Sequence, residues 1–309
     1  MRGGKKLRKN CLVCTKIVTK SALNSMTCCS KCATNLKIGL SHVITDESDL
    51  ETIRQQTGLT EAVFTELLHR LGIYSPSWIA ENVGSLANLA KIPLLGVAEN
   101  YDNPGKNKDR TFIIGQANLL LKDQPVALLT LPHVGLLCYL EAAARLNLDP
   151  SASTLVERDN LYFNILWSLK KAWQSFSDGE ILRDVTVFKG TVAKSLQQLP
   201  KVYNFVNLDF LGPWTEEDER TVRRLFHNGR LEDESLVSIT LSEARRFIDN
   251  PMPQYSLVEE PHKNFVVEKF KELARGTVYS PIYLWHHTYN TESSYPMVSI
   301  VFRVKKKAS

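Results

Sequence analysis

PVALLTLP at residues 125–132, GLLCYLEAAARLNL at 135–148 and STLVERD at 153–159 read as strand, helix and strand. The first is a continuous apolar run, which suits a strand buried on both faces of a parallel sheet. The second repeats its apolar residues at helical spacing. The third is short and ends in acid. Working outward, the alternation continues. NLYFNILWSLKKAWQSF (160–176) is a helix, DVTVFKG (184–190) a third strand and TVAKSLQQL (191–199) a helix. VYNFVNLDFLGPW (202–214) is a fourth strand, again ending in acid, followed by the helix TEEDERTVRRLF (215–226). SLVSITLS (235–242) is a fifth strand and PHKNFVVEKFKELARG (261–276) a helix. IYLWHHTYN and SYPMVSIVFRVK then pair across a Thr-Glu-Ser-Ser turn. This text predicts an α/β fold: a doubly wound, mostly parallel sheet with a C-terminal antiparallel hairpin. The expected domain spans residues 101–309.

Ligands of such sheets bind at the carboxyl ends of the strands. Glu157 closes the second strand, where an acid can accept both hydroxyls of a ribose. Asp209 closes the fourth and is followed by Phe210-Leu211-Gly212-Pro213-Trp214. A carboxylate, a Gly-Pro turn and an aromatic can hold a flat substrate and its reacting group. His286 and His287 are neighbours on one strand and face opposite ways, so they form no joint site. Trp167, Trp173 and Trp285 read as packing groups, and Cys138 as a packed thiol.

With these residues in view, positions 111–309 resemble the class I S-adenosylmethionine-dependent methyltransferases. Glu157 in LVERD matches that family's ribose-binding acid. Asp209 in NLDFLGPW stands where the family keeps an acidic-Pro-Pro-aromatic motif. The resemblance implies S-adenosylmethionine as cofactor, held by Pro132, His133, Gly135, Glu157, Gly190 and Asp209. It implies Asp209, Pro213 and Trp214 as the groups that orient the methyl acceptor. The sequence departs from the family in its first loop, where of the usual glycines only Gly135 remains, and LDFLGPW differs from the aminomethyltransferase D-P-P-Y. Such a loop also suits a methyltransferase-like protein that binds without catalysing, so an inactive accessory subunit of a nucleoprotein or transcription complex is the second expectation.

Five of the six cysteines stand at Cys11, Cys14, Cys28, Cys29 and Cys32. Two C-x2-C pairs can present four thiolates to Zn²⁺. The predicted ligands are Cys11, Cys14, Cys29 and Cys32, with Cys28 open as a substitute for Cys29. The segment resembles the small four-cysteine zinc fingers of phage and mobile-element proteins. The resemblance implies a metal and leaves open whether the finger holds nucleic acid, holds protein or staples the N-terminus. It is the expected first domain, residues 1–40.

Charge points the same way. The chain has 309 residues and a net charge of +5, but no acid precedes Asp46. Lys5, Lys6, Arg8, Lys9, Lys16, Lys20 and Lys31 fall in the cysteine segment, a polyanion-binding signature for DNA or RNA. The terminal Lys305-Lys306-Lys307 reads either as further phosphate contact or as a solubilising tail.

DLETIRQQTGLTEAVFTELLHRLGI (49–73) reads as two short helices about Gly58, a helix-turn-helix-like unit in a second segment of residues 41–100. Arg54 stands where that motif usually has a small residue, and Glu61 and Glu66 on its second helix favour a packing role over DNA reading. Residues 74–110, with Pro76, Pro93, Pro104 and YDNPGKNKDR, read as connector and loop. Ordinary composition, 43% hydrophobic and 23% charged, excludes wholesale disorder, collagen and coiled coil. No apolar run approaches the roughly 18 residues of a membrane span, and MRGGKKLRKNCLVC, basic with no apolar core after it, is not expected to act as a secretory signal. A cytoplasmic or nucleoid-associated place is expected. Walker, H-E-x-x-H and G-x-S-x-G motifs are absent, which disfavours P-loop hydrolysis, zinc proteolysis and α/β-hydrolase chemistry.

Overall fold

The computed structural model describes residues 104–132, 136–173, 180–210, 212–242, 261–290 and 296–307, together with 51–52, 54–55, 60–62, 64–65, 81 and 176. The zinc-finger cysteines and the basic residues around them lie outside the described residues. The chain forms two compact units, one of residues 1–95 with 159–180, the other of 96–158 with 181–309.

In the first unit, Glu51, Thr52, Arg54 and Gln55 are helical, and so are Glu61, Ala62, Phe64 and Thr65. Phe64 is buried. Arg54 donates to Glu51 at 2.6 Å, an ion pair within one helical turn. Helix α3 (Asn160–Trp173) also belongs here, with Phe163 stacked on Trp167.

The second unit is built on one sheet. Its strands are β1 (Leu128–Thr130), β2 (Thr154–Glu157), β3 (Thr186–Lys189), β4 (Tyr203–Asp209), β5 (Leu231–Ser242), β6 (Tyr279–Asn290) and β7 (Pro296–Lys306). The spatial order is β3-β2-β1-β4-β5-β7-β6. Strands β1 to β5 pair in parallel, and β7 runs antiparallel between β5 and β6. The predicted α/β class is the observed one. The helices of this unit are α1 (Pro104–Leu120), α2 (Leu137–Arg145), α4 (Glu180–Arg183), α5 (Val192–Gln198), α6 (Glu216–His227) and α7 (Pro261–Ala274).

The sheet is two-sided in its chemistry, and period 2 explains why. Val206 and Leu208 of β4, Val237 and Ile239 of β5, and Ile300 and Phe302 of β7 point to one face. There they join residues of α5, α6 and α7 in the main apolar core. The alternate positions carry Asn207, Asp209, Ser238, Thr240 and Ser299, all buried or half-buried. Burying polar side chains is costly unless they find partners: Thr240 meets Ser299, Ser299 meets Asp109, Asp209 meets Lys106 and Asn207 meets Cys138, while Ser238 Oγ has no partner among the described residues.

Two sequence expectations are corrected. The polar stretch from residue 104 to 110 is not loop: Pro104 opens α1, where its fixed φ and missing N–H suit the first helical position. The buried face of α1 runs Lys106, Asp109, Ile113, Ile114, Ala117. Its first turns are polar, so no apolar period announces them. Strand β5 starts at Leu231, four residues early, with Glu234 at φ 60°. Its early acids are matched across the sheet, since Glu234 pairs with Arg303 and with Lys305 at 2.7 Å. Lys307 donates to the Thr277 carbonyl at 2.8 Å. The closing lysines are therefore engaged within the fold.

Candidate functional site

Order reverses between β1 and β4, the position where doubly wound sheets open a crevice at the strands' carboxyl ends. A cleft of about 380 Å³ lies there. It takes Leu131 from the end of β1, Glu157 and Arg158 from β2, Gly190 and Thr191 from β3, Asp209, Phe210, Gly212 and Pro213 from β4, and Glu217 from α6. Glu157, Gly190, Asp209 and Pro213, expected from the sequence to act together, thus line one cavity although 56 residues of chain separate the first from the last.

Local structure holds each in place. The Gly190 N–H donates to the Glu157 carbonyl at 2.9 Å, locking the ends of β2 and β3 side by side. Gly190 sits at φ 146°, and a Cβ there would come within 2.9 Å of the Phe188 ring. The turn after Asp209 is held by the last turn of the β4–β5 pairing: Phe210 N–H donates to the Thr240 carbonyl and Ser242 N–H to the Gly212 carbonyl. Helix α6 opens with a capping box, in which Thr215 and Asp218 satisfy each other's backbone N–H groups.

Asp209 has a partner that the sequence reading missed. Lys106, buried on α1, places its ammonium 2.9 Å from Asp209 Oδ2. The other oxygen, Oδ1, is buried with no hydrogen-bond partner among the described residues. One turn along α1, Asp109 is buried and accepts a hydrogen bond from Ser299, while its Oδ1 stands 3.4 Å from His287 Nδ1. Burial pushes the Asp109 carboxyl up to about 6. Ser299 and His287 oppose that rise and the charge of Asp209 adds to it.

The register makes this an ordered row. Asp209 pairs with Thr240, Thr240 with Ser299 and Ser299 with His287, across four neighbouring strands. Paired residues share a face, so the row lies under the first two turns of α1. His286 faces the other way and meets the Tyr283 hydroxyl at 2.6 Å, as the alternation predicts. Trp285 stacks on Phe112 of α1 at 3.9 Å, a packing role.

The remaining expected residues fall elsewhere. Pro132 is buried just after β1 and does not line the cleft. His133 and Gly135 lie outside the described residues. Trp214 packs edge-on against Phe265 at 6.2 Å rather than lining the cleft. Tyr139, close to the first loop, is buried and donates its hydroxyl to the Ile181 carbonyl, away from the cleft lining. Cys138 accepts from Asn207 Nδ2 at 3.0 Å, and burial pushes its thiol up to about 11.

Cleft chemistry is anionic. Glu157, Asp209, Glu217 and Asp218 stand against Arg158. Like charges at such range repel, so the lining disfavours phosphate and favours hydroxyl, amine or cationic groups. Among the described residues no cluster of three His, Cys, Asp or Glu could hold a metal ion, and no helix is long and apolar enough to cross a membrane.

No protein-family model matches the chain, and no curated protein matches it. Solved structures give distant likenesses. TrmN from Thermus thermophilus is similar at 10% identity and a TM-score of 0.35, over 62% of this chain and 47% of that one. The chain thus spans about half the length of that structure. The ribosomal protein L11 methylase from Lactobacillus delbrueckii subsp. bulgaricus is similar at 12% identity and a TM-score of 0.39, over 70% and 84%. P. horikoshii TYW2, in complex with MeSAdo, is similar at 15% identity and a TM-score of 0.43, over 69% and 67%. The fold of this chain stands on its own strand order and register.

Proposed function

We propose that this chain is a class I S-adenosylmethionine-dependent methyltransferase that acts on a base in DNA or RNA. The observation that carries the reading is the convergence of Glu157 and Asp209 on one cleft at the switch point between β1 and β4. The antiparallel β7 between β5 and β6 is the closing hairpin that the family resemblance implies.

The residues present fit the cofactor. Glu157 is a strand-end acid able to accept two ribose hydroxyls. Gly190 lines the cleft beside it at φ 146°, a backbone conformation that favours glycine. The cavity has the size of ordinary small-molecule sites, and its acids suit a ligand without phosphate. When bound, the cofactor supplies an activated methyl group. The chain contributes positioning, which can account for much of such a rate enhancement. Asp209, which lines the cleft, would accept a hydrogen from the acceptor group and so align its lone pair. Phe210 and Pro213 bound the flat substrate, and a duplex base would have to be flipped out to reach them.

The nucleic-acid target rests on sequence alone. Cys11, Cys14, Cys29 and Cys32 would hold Zn²⁺, and Lys5, Lys6, Arg8, Lys9, Lys16, Lys20 and Lys31 would supply phosphate affinity. The chain would work where nucleic acid is found, in the cytoplasm or at the nucleoid. A second reading, a non-catalytic nucleic-acid-binding subunit of a larger complex, is favoured by Pro132, which is buried where the family's loop brings backbone close to the cofactor.

Calorimetric titration of the zinc-loaded protein with S-adenosylmethionine separates the two. Micromolar binding that weakens at least tenfold in Glu157→Ala supports the enzyme. No heat up to millimolar cofactor sinks it and leaves the scaffold reading.

A further inference from the structure

Arg158 and Asp218 line the same cleft with opposite charges, and no ion pair joins them. Arg158 stands just after β2, exposed, with no hydrogen-bond or ion-pair partner among the described residues. Asp218 belongs to the first turn of α6 and is only 6% exposed. Its Oδ2 is taken, since the Thr215 N–H and hydroxyl both donate to it at 2.7 Å. Its Oδ1 accepts no hydrogen bond among the described residues, yet it is not closed to solvent as Oδ1 of Asp109 and of Asp209 are. In a residue otherwise buried and set in the cleft wall, that opening is onto the cleft. The capping box therefore does more than start α6: it spends one carboxylate oxygen on the helix and fixes the other toward the cavity. Burial raises the Asp218 carboxyl. The Thr215 hydrogen bonds and the charge of Arg158 oppose that rise, and Glu217 adds to it. Arg158 is thus felt by Asp218 without touching it, and the gap leaves room for a ligand.

The two groups have complementary hydrogen-bond roles. A guanidinium only donates and a carboxylate only accepts. The matching ligand edge has an acceptor beside a donor, as in a ring nitrogen next to an amino group. Leu131, Val192 and Phe210 add apolar lining for a flat ring. We propose that Arg158 and Asp218 form a recognition subsite for the amidine edge of a nucleobase, ring nitrogen to guanidinium and amino group to carboxylate. Such an edge belongs to the adenine of a nucleoside cofactor, and equally to adenine or cytosine in a nucleic acid. An oxo base, with N–H beside C=O, reverses both roles and is rejected, because a site built for one set of hydrogen bonds leaves groups unpaired with the other. The subsite goes beyond the methyltransferase reading and does not require it.

Calorimetry on the full-length protein with two ligand pairs tests this. One pair is S-adenosylhomocysteine and its deaminated 6-oxo counterpart. The other is oligothymidylate carrying one adenine or cytosine, against the same strand carrying hypoxanthine or uracil. The wild-type protein is expected to prefer the amino member of a pair by about tenfold, and the pair that shows the preference names the source of the edge. Asp218→Asn keeps an oxygen for Thr215 and turns an amide N–H toward the cleft, so the preference is expected to vanish or reverse. Arg158→Met changes an exposed position, leaves α6 untouched and is expected to abolish the preference as well. It decides the matter if thermal melting shows that Asp218→Asn does not fold. Equal binding within both pairs overturns the proposal. So does a preference that survives Arg158→Met or a folded Asp218→Asn. If S-adenosylhomocysteine fails to bind while the oligonucleotides are discriminated, the methyltransferase reading falls and the subsite stands.

Discussion

Thr240 Oγ1 and Ser299 Oγ stand 2.7 Å apart between β5 and β7, fully shielded from solvent. Ser299 gives its one hydrogen to Asp109, so Thr240 is the donor of the pair. A chain of hydroxyls thus ends on a carboxylate, beside the Lys106–Asp209 ion pair. Networks of this kind are stable when complete and costly when broken.

Breaking the ion pair from one side is expected to be worse than removing both charges. Lys106→Met should cost about 3 kcal/mol, because it strands a part-buried carboxylate. Lys106→Met with Asp209→Leu should recover most of that loss. Urea unfolding of the two singles and the double gives the coupling. Additive costs would mean that the pair does not interact in the folded protein.

Asp109 should leave a mark on the pH dependence of stability. Its carboxyl binds a proton more tightly in the folded protein than in the unfolded chain, where it titrates near 4. Stability from this group is therefore present at low pH and declines as pH rises from about 4 to about 6. Asp109→Asn keeps an acceptor for Ser299 and removes the titration. Relative to wild type it should gain on the order of 2 kcal/mol between pH 4 and pH 7. Equal differences at both pH values would show that Asp109 does not titrate in this window.

Gly190→Ala is expected to destabilise by about 1–3 kcal/mol through backbone strain. It should also weaken ligand binding in the cleft, because the new methyl meets the Phe188 ring and must shift a residue that lines the cleft. Thermal melting and cofactor calorimetry, run on the same variant, read the two effects separately.

Thiol counting tests the metal. Cys138 is packed and its thiol is held well above neutrality, so it should stay unreactive to a disulfide reagent until denaturant is added. Zinc analysis should find about one ion per chain, lost in Cys11→Ser with Cys14→Ser. A chelator should then expose the N-terminal thiols without exposing Cys138. Full reactivity of the N-terminal thiols before chelation would count against the finger.

The order of the strands and longer helices from residue 125 onward was legible because each signal is local, whereas the short α4 was not foreseen. Period 2 marks β4 and β5, and helical period marks α2 and α6. The acids Glu157 and Asp209 were legible because they end apolar runs. Helix α1 was not, because its first buried positions are Lys106 and Asp109, and a polar run reads as loop. The start of β5 was missed for the same reason, its acids being matched by Arg303 and Lys305 on another strand.

What the sequence determined by itself is therefore the α/β alternation and the two strand-end carboxylates, since hydrophobic period and strand ends depend on neighbouring residues only. What the tertiary structure decided is their company. Strand order brings the ends of β1 to β4 into one cleft, and register sets Asp209, Thr240, Ser299 and His287 in a single row. The packing of α1 over that row sets Lys106 against Asp209, 103 residues apart. Pairings of that range leave no period in the chain, because they are fixed by which surfaces must be buried together and by the demand that each buried polar group meet a partner.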